Sequence, residues 1–421
     1  GEAQRGPGGE VRRISVLMAT AFVDMLGGAM IFPLLPFYAL KLHAAPWMIG
    51  WMIASFWIAQ LASSPLWGRV SDRYGRRPAL LVGLSAAAAG YVVFAFAFTP
   101  WMLVLSRLVQ GAGGGTTGVA QAYIGDAIEA RERAKALGWL SAATNAGVMI
   151  GPALGSLATN VGSAAPGLIA AALCLANVGF AWRWLPESSP DKQRSAGPAP
   201  AGAPGAPAAP APARRRVLAV VWEVLKQPKA DVSRLIWIYA IGMLGTMSMT
   251  AVLALYLDRV FGVTEKTIGL FFVYIGALSL IMRALILGKM VDRFGETGVM
   301  RMGALAVAVG MAGMPLAPSI LTLAAVMTLF PIGTALLYPA TSALVTHRAP
   351  RTELGQTLGV QQAFGAVARI LAPIWATAAF QALGIGVPFY IAGGILALVA
   401  LLALGVRPAA EFRTAHQPAA S

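Results

Sequence analysis

Stretches of about 20 apolar residues, each the length needed to cross a bilayer as a helix, recur along this chain. Twelve are legible, beginning near Ile14, Trp47, Pro78, Pro100, Lys135, Ala165, Ser233, Thr267, Thr297, Pro318, Leu354 and Gly384. Charged residues are 12% of the sequence and hydrophobic ones 57%, about half the charge share of a soluble domain. The first stretch is not expected to be a cleaved signal peptide. It carries Asp24 and two prolines, Pro33 and Pro36, and lacks a small-residue cleavage site. Cys174 is the only cysteine, which excludes an internal disulfide; inside an apolar span it reads as packing.

A net charge of +15 would point to nucleic acid in a soluble chain. Here the placement of the charges matters more. With the N-terminus in the cytoplasm, Arg12, Arg13, the loop at 68–77, Arg131, Arg133, Lys135 and the basic residues of the linker fall on one side. The other side keeps only Lys41, Arg259 and Lys266. That asymmetry obeys the positive-inside rule and predicts cytoplasmic termini. The basicity is topological, and no nucleic-acid partner is expected.

Hydrophobicity collapses between Leu185 and Arg234, where "SSPDKQRSAGPAPAGAPGAPAAPAPARRR" cannot bury a core and reads as an extended tether. The expected organisation is a tail at 1–13, six helices at 14–185, a linker at 186–232, six helices at 233–406 and a tail at 407–421. Within the linker, "VLAVVWEVLKQPKA" reads either as an amphipathic helix on the membrane surface or as an extension of the seventh span. The two halves echo one another. "GRVSDRYGRR" from Gly68 recurs as "GKMVDRFGET" from Gly288; "LGWLSA" then "IGPALGS" recurs as "LGVQQA" then "LAPIWAT". Parallel repeats of six helices are a transporter pattern, with the substrate site expected between them near mid-membrane.

These residues carry a resemblance to the major facilitator superfamily, and within it to the twelve-span drug:proton antiporters that include the tetracycline exporters. In the first loop Gly68, Asp72, Arg73, Gly75, Arg76 and Arg77 stand where the superfamily signature has them. "LSRLVQGAGGG" resembles the fourth-span motif through Arg107, Gln110 and Gly111. "GVMIGPALGS" resembles the antiporter motif through Gly147, Gly151, Pro152 and Gly155. "DMLGGAMIFPLLP" and "AYIGDAIEARERAKALG" resemble tetracycline exporters in particular. The resemblance implies an all-α polytopic membrane protein of the major facilitator fold, twelve transmembrane helices in two pseudo-symmetric six-helix bundles. The second loop departs from the pattern, with Glu296 and Thr297 where Arg76 and Arg77 stood, so less of the loop's work is expected there.

The resemblance also implies roles. The first loop is expected to act as a conformational latch, with Arg76 and Arg77 near enough to pair with Asp126 and Asp72 free to meet the opposite half. The simpler reading, a positive-inside anchor, holds alongside it. Among acids and histidines, only Asp24 falls well inside a span. A carboxylate at a helix centre costs roughly 2.5–3.5 kcal/mol on insertion scales, so such residues tend to be functional. Asp24 is the expected proton carrier, the alternative being a structural acid that caps a broken helix beside Gly27 and Gly28. Arg107 is tied to proton coupling by the resemblance; the alternative is an arginine satisfied by backbone carbonyls. Arg283 reads as a snorkelling, structural residue. Arg369 is left between attracting an anionic or zwitterionic substrate, reaching Asp24 from the opposite half, and a structural role bonded to backbone carbonyls.

Gly147, Gly151 and Gly155 recur every fourth residue and predict a close helix contact, with Pro152 bending the helix. The resemblance ties this motif to export. Asn145, Met243, Met247, Phe330, Tyr338, Gln361 and Arg369 are candidate cavity residues, since methionine and aromatic walls repack around varied ligands. "GGGTTG" fits a dinucleotide fingerprint but follows no strand and reads as helix packing. The expected function is export of a lipophilic compound in exchange for protons, by a monomer in a bacterial inner membrane. Its partners are the lipid bilayer, a small-molecule substrate and protons. An importing symporter or facilitator and a non-transporting receptor or scaffold are the alternatives. A membrane enzyme would need a nucleophile–base pair, metal ligands or a nucleotide loop, and no such cluster is legible. No cofactor and no metal are expected.

Overall fold

Proline marks where many of the helices begin, because it lacks the N–H that a first turn leaves unused and its φ is already helical. In the computed structural model, which describes residues 7–128, 132–187, 213–350 and 353–407, helices start on or beside Pro46, Pro100, Pro166 and Pro388. The tails up to residue 6 and from 408, Arg131 and most of the linker lie outside the described residues.

The first half runs through α1 (Pro7–Ile31), α2 (Leu35–Lys41), α3 (Pro46–Tyr74), α4 (Arg76–Ala95), α5 (Pro100–Gly113), α6 (Thr116–Ala127), α7 (Arg133–Ala158) and α8 (Ala165–Trp184). After the linker come α9 (Ala213–Lys226), α10 (Asp231–Phe261), α11 (Ile268–Ile281) with a π-turn at Met282–Ile286, and α12 (Leu287–Gly313). The last elements are α13 (Ile320–Met327), α14 (Leu329–Arg348), α15 (Leu354–Ala382) and α16 (Val387–Leu404). The expected starting points agree with these to within a few residues, save the first, where α1 begins at Pro7, and the ninth. There the helix assigned from Leu287 crosses a kink at Gly295, whose φ of 68° ends one helix and begins the next.

Eight of the described stretches are long and apolar enough to cross a membrane by length and composition. Expected spans two, four and five are not among them, and spans eight and nine run together. Span four is split at Gly114 and Gly115 into α5 and α6, a break that helix-packing logic for "GGGTTG" does not anticipate. The first span is likewise split, at 32–34, where Pro33 has no N–H to offer the ladder. Large apolar side chains stand outward, among them Trp101 at 70% and Leu321 at 79% exposed, as a lipid-facing surface requires.

Contacts divide the chain into two units. The first comprises Gly1–Ala206 together with Val263–Val273, the segment that heads the eighth span; its core joins Leu17, Leu80, Tyr123, Ile124 and Leu140. The second comprises Pro207–Gly262 and Tyr274–Ser421, with a core of Leu235, Val299, Met300, Leu336 and Leu344. Helix α9 is separate from α10, as Pro228 interrupts the chain between them. Val220, Val221 and Val224 pack with Ile236, Val360 and Phe364, and the Trp237 indole donates to the Val224 carbonyl.

Candidate functional site

Asp24 sits two turns before the end of α1, half-buried, and its Oδ2 accepts a 2.7 Å hydrogen bond from the Thr116 hydroxyl. Thr116 opens α6, so the break after α5 brings a hydroxyl and a helix N-terminus to the carboxylate. Around them lies a small cavity, with about 10 Å³ of water-accessible space, lined by Thr20, Asp24, Thr116, Thr117 and Thr144 among leucines and alanines.

Arg107, on α5, is 3% exposed and does not pair with Asp24. Its Nη1 donates to Gln110 Oε1 at 2.6 Å, and its guanidinium lies 4.6 Å from the Phe56 ring centroid. Gln110 passes the chain on to Ser106, and Ser106 to the Gly90 carbonyl. The Arg107 Nε has no partner. Tyr91 of α4 is the residue that sequence reasoning missed here. Buried, it interacts electrostatically with both Asp24 and Arg107, and a Cβ on Gly27 would lie 3.2 Å from its ring. A tyrosine in an apolar span gives no sign in sequence of what it faces.

The glycine ladder of α7 packs on α1, the helix that carries Asp24. A Cβ at Gly147 would stand 2.5 Å from the Phe22 carbonyl, one at Gly151 2.6 Å from Ala29 Cβ, and one at Gly155 against the Met30 carbonyl. The same motif receives the segment 263–273. Gly269 N donates to Ser156 Oγ at 2.9 Å, and Gly269 lies against the Pro152 carbonyl.

At the other end of the unit, Gly75 adopts φ 109° and turns α3 into α4. Arg76 binds Asp126 at 2.8 Å, Asp72 at 2.5 Å and Ser71 at 2.7 Å. Arg77 does not join Asp126; it donates to the Trp182 carbonyl. Arg73 stacks on Tyr74, and a Cβ at Gly68 would meet open space. Glu187, unflagged in the sequence, caps α4 by accepting from Arg76 N at 2.8 Å and Arg77 N at 3.3 Å. Its position among basic residues beside the linker was the available signal. In the second unit an acid stands at the position of Arg76: Glu296 meets His347, at the end of α14, at 3.0 Å.

Of the candidate cavity residues, Met243, Met247 and Tyr338 come together around Tyr239 and Ala368. Tyr338 shares a 2.5 Å hydrogen bond with Thr246, and Arg369 contacts Gln362 and the Gly365 carbonyl. Gln361 is fully buried and donates to Ser342; Phe330 is buried; Asn145 is exposed on α7. Arg283 is exposed within the π-turn. No group of three His, Cys, Asp or Glu side chains suited to a metal occurs among the described residues.

The sequence model of the Major Facilitator Superfamily matches residues 17–320 and 284–420. The chain belongs to the Major Facilitator Superfamily. It is therefore a multi-pass membrane transporter and not an enzyme, homologous to tetracycline and multidrug resistance proteins. It is 33% identical over 176 residues to the class B tetracycline resistance protein of Escherichia coli, an alignment covering 41% of this chain and 44% of that protein. To multidrug resistance protein 1 of Bacillus subtilis it is 26% identical over 405 residues, covering 95% and 97% of the two. The solved structure of a bacterial homologue of the human lysosomal transporter Spinster superposes with a TM-score of 0.75 at 14% identity, covering 98% of this chain and 99% of that one. That likeness is one of fold.

Proposed function

We propose that this transporter exports lipophilic, drug-like compounds, tetracycline-like ones among them, in exchange for protons. It works as a monomer by alternating access, in a bacterial inner membrane with both termini cytoplasmic. The observation that carries the reading is Asp24: a carboxylate half-buried within α1, held by one hydroxyl and bordered by a small cavity with threonines in its wall. An anion costs too much among apolar helices to stand there without use. Thr116 fixes one oxygen, and Arg107, engaged with Gln110, leaves the carboxylate without an ion-pair partner among the described residues. Proton loading and substrate binding then compete at the same charge. Similarity to multidrug resistance protein 1 along 97% of that protein, and the antiporter motif packed on the Asp24 helix, support export over import. The first-loop network of Arg76, Asp72 and Asp126 is the latch in this reading. Met243, Met247, Tyr338 and Arg369 form a wall of the substrate path.

The test pairs two assays in proteoliposomes, wild type against Asp24→Asn, with tetracycline and ethidium as probes. The amide mimics the protonated acid, so pH-gradient-driven accumulation should be lost while counterflow exchange persists. Cationic ethidium should bind the variant more weakly than wild type. Undiminished gradient-driven accumulation by Asp24→Asn would overturn Asp24 as the proton carrier.

A further inference from the structure

The hydroxyl of Thr20 is the anomaly of the first unit. Inside a membrane helix, serine and threonine ordinarily satisfy their hydroxyls on their own backbone three or four residues back. Ser85, Thr246, Thr341 and Thr377 all do so in this protein. Thr20 does not. It is 3% exposed, its Oγ1 has no hydrogen-bond partner among the described residues, and it lines the cavity beside Asp24 one turn along the same helix. Its backbone carbonyl is engaged separately, by Asn177. Leaving a buried hydroxyl unpaired carries its full desolvation cost, so a partner is expected.

Asp24 presents the complementary need. Oδ2 is taken by Thr116, and no donor among the described residues reaches Oδ1. The cavity between has about 10 Å³ of water-accessible space, room for roughly one water. A buried water needs two to four polar partners, and Thr20, Asp24, Thr117 and Thr144 border this space. Thr144 donates to the Ser141 carbonyl and keeps its acceptor lone pairs.

We propose that the Thr20–Asp24 cavity binds a single water through which Asp24 exchanges its proton, with Thr20 as the residue that positions it. The proposal rests on the reading of Asp24 as proton carrier and adds the route. Thr20 holds the water and the water donates to Asp24 Oδ1. Loading transfers a proton from the water to the carboxylate as the water takes one up from the solvent side; release reverses both transfers. Charge and protons balance, and no other reactant is required. The titratable groups that interact electrostatically with Asp24 are Tyr91 of α4 and Cys174 of α8, while Arg107 of α5 interacts with Tyr91 and is bonded to Gln110. The cavity-lining residues of α6 and α7 contribute hydroxyls and apolar carbons. The proton path therefore runs through hydroxyls and water.

Infrared difference spectroscopy on the full-length protein in proteoliposomes, titrated with pH in H2(16)O and H2(18)O, tests this without any substrate. Wild type should show an Asp24 carboxyl band, identified by its loss in Asp24→Asn, and an isotope-sensitive band from a bound water that changes in the same titration. Thr20→Val, of nearly equal shape, should lose the water band; Thr20→Ser should keep it. Absence of a titrating carboxyl band assigned to Asp24 would sink the proton-carrier reading itself. A carboxyl band with no accompanying water band in wild type, or a water band undisturbed in Thr20→Val, would sink the water route alone. The wild-type measurement decides even if Thr20→Val does not fold. A titration that moves when sodium replaces choline would identify the occupant as a monovalent cation, and would also overturn the proposal.

Discussion

Arg76 is one side chain serving two acids, and that makes it the sharpest single-residue test of the loop. Its guanidinium reaches Asp126 and Asp72 at once, with Ser71 below. Lysine is a point charge and does not reproduce that fork. Arg76→Lys should express and melt within about 1 kcal/mol of wild type, since these bonds are partly exposed, yet transport poorly. Wild-type transport rates in vesicles would show that the fork is dispensable. On the opposite side, Glu265 binds Lys41 at 2.5 Å. Burial alone would push the Glu265 carboxyl up, but the Lys41 ammonium, a backbone hydrogen bond and Lys266 outweigh it and hold it below its usual 4.5. A depressed folded value means the pair stabilises the protein above about 4.5 and loses that contribution as pH falls through the folded value. With Lys41 half exposed, the effect should be under about 1 kcal/mol. Thermal melting should therefore decline less on acidification in Glu265→Gln than in wild type; parallel acid profiles would contradict the pairing.

Among the elements, the contact of α7 on α1 is where sequence and structure agree most closely. Glycines four apart predicted a close approach, and the structure supplies the partner: the backbone of α1 at Phe22, Ala29 and Met30. A side chain at Gly155 has no room against the Met30 carbonyl. Gly155→Val should destabilise by about 1–3 kcal/mol and shift the helix that carries Asp24. A melting temperature equal to wild type would mean that α1 and α7 part readily. Gly68 is the control. It lies inside α3 with open space where a Cβ would be, so Gly68→Ala should be neutral or stabilise by about 0.5–1 kcal/mol. If Gly68→Ala nevertheless abolishes transport, the glycine serves a state other than this one. The helix break at Gly114 and Gly115 was not legible, because three glycines in an apolar run fit continuous packing as well as interruption. Only the neighbours separate the two: Gly115 lies against the Trp67 ring, and Thr116 reaches Asp24.

For the whole molecule, the lone Cys174 is a built-in reporter. It is fully buried, so a thiol-reactive dye should label the protein only as it unfolds, and this gives the melting assay for the variants above. Rapid labelling of the native protein would contradict that burial. In a Cys174→Ser background, cysteines at Lys135 and Asn160, both exposed, should react with an impermeant maleimide from opposite faces of the membrane. Reaction of both from the same face would refute the positive-inside assignment.

What the sequence determined by itself is what depends on local composition and spacing. Most helix starts, the charge asymmetry and the paired loops are properties of contiguous residues and could be read directly, although expected spans two, four and five are not among the stretches long and apolar enough to cross a membrane. The proposal for Asp24 has the same local ground, since a lone acid in an apolar run is costly whatever surrounds it. Its surroundings were not legible. Thr116 reaches Asp24 from a helix break, Thr20 shares its cavity from an adjacent turn, and Tyr91 interacts with it electrostatically from another helix. Arg107 turned to Gln110 and Phe56 instead of the acid, and Arg77 to a carbonyl of α8 instead of Asp126. Each is a choice among partners at similar distances, decided by how helices pack and which polar group is left without a bond. Those are properties of the tertiary structure, because a hydrogen bond depends on where two atoms finish and not on how far apart they lie in the chain.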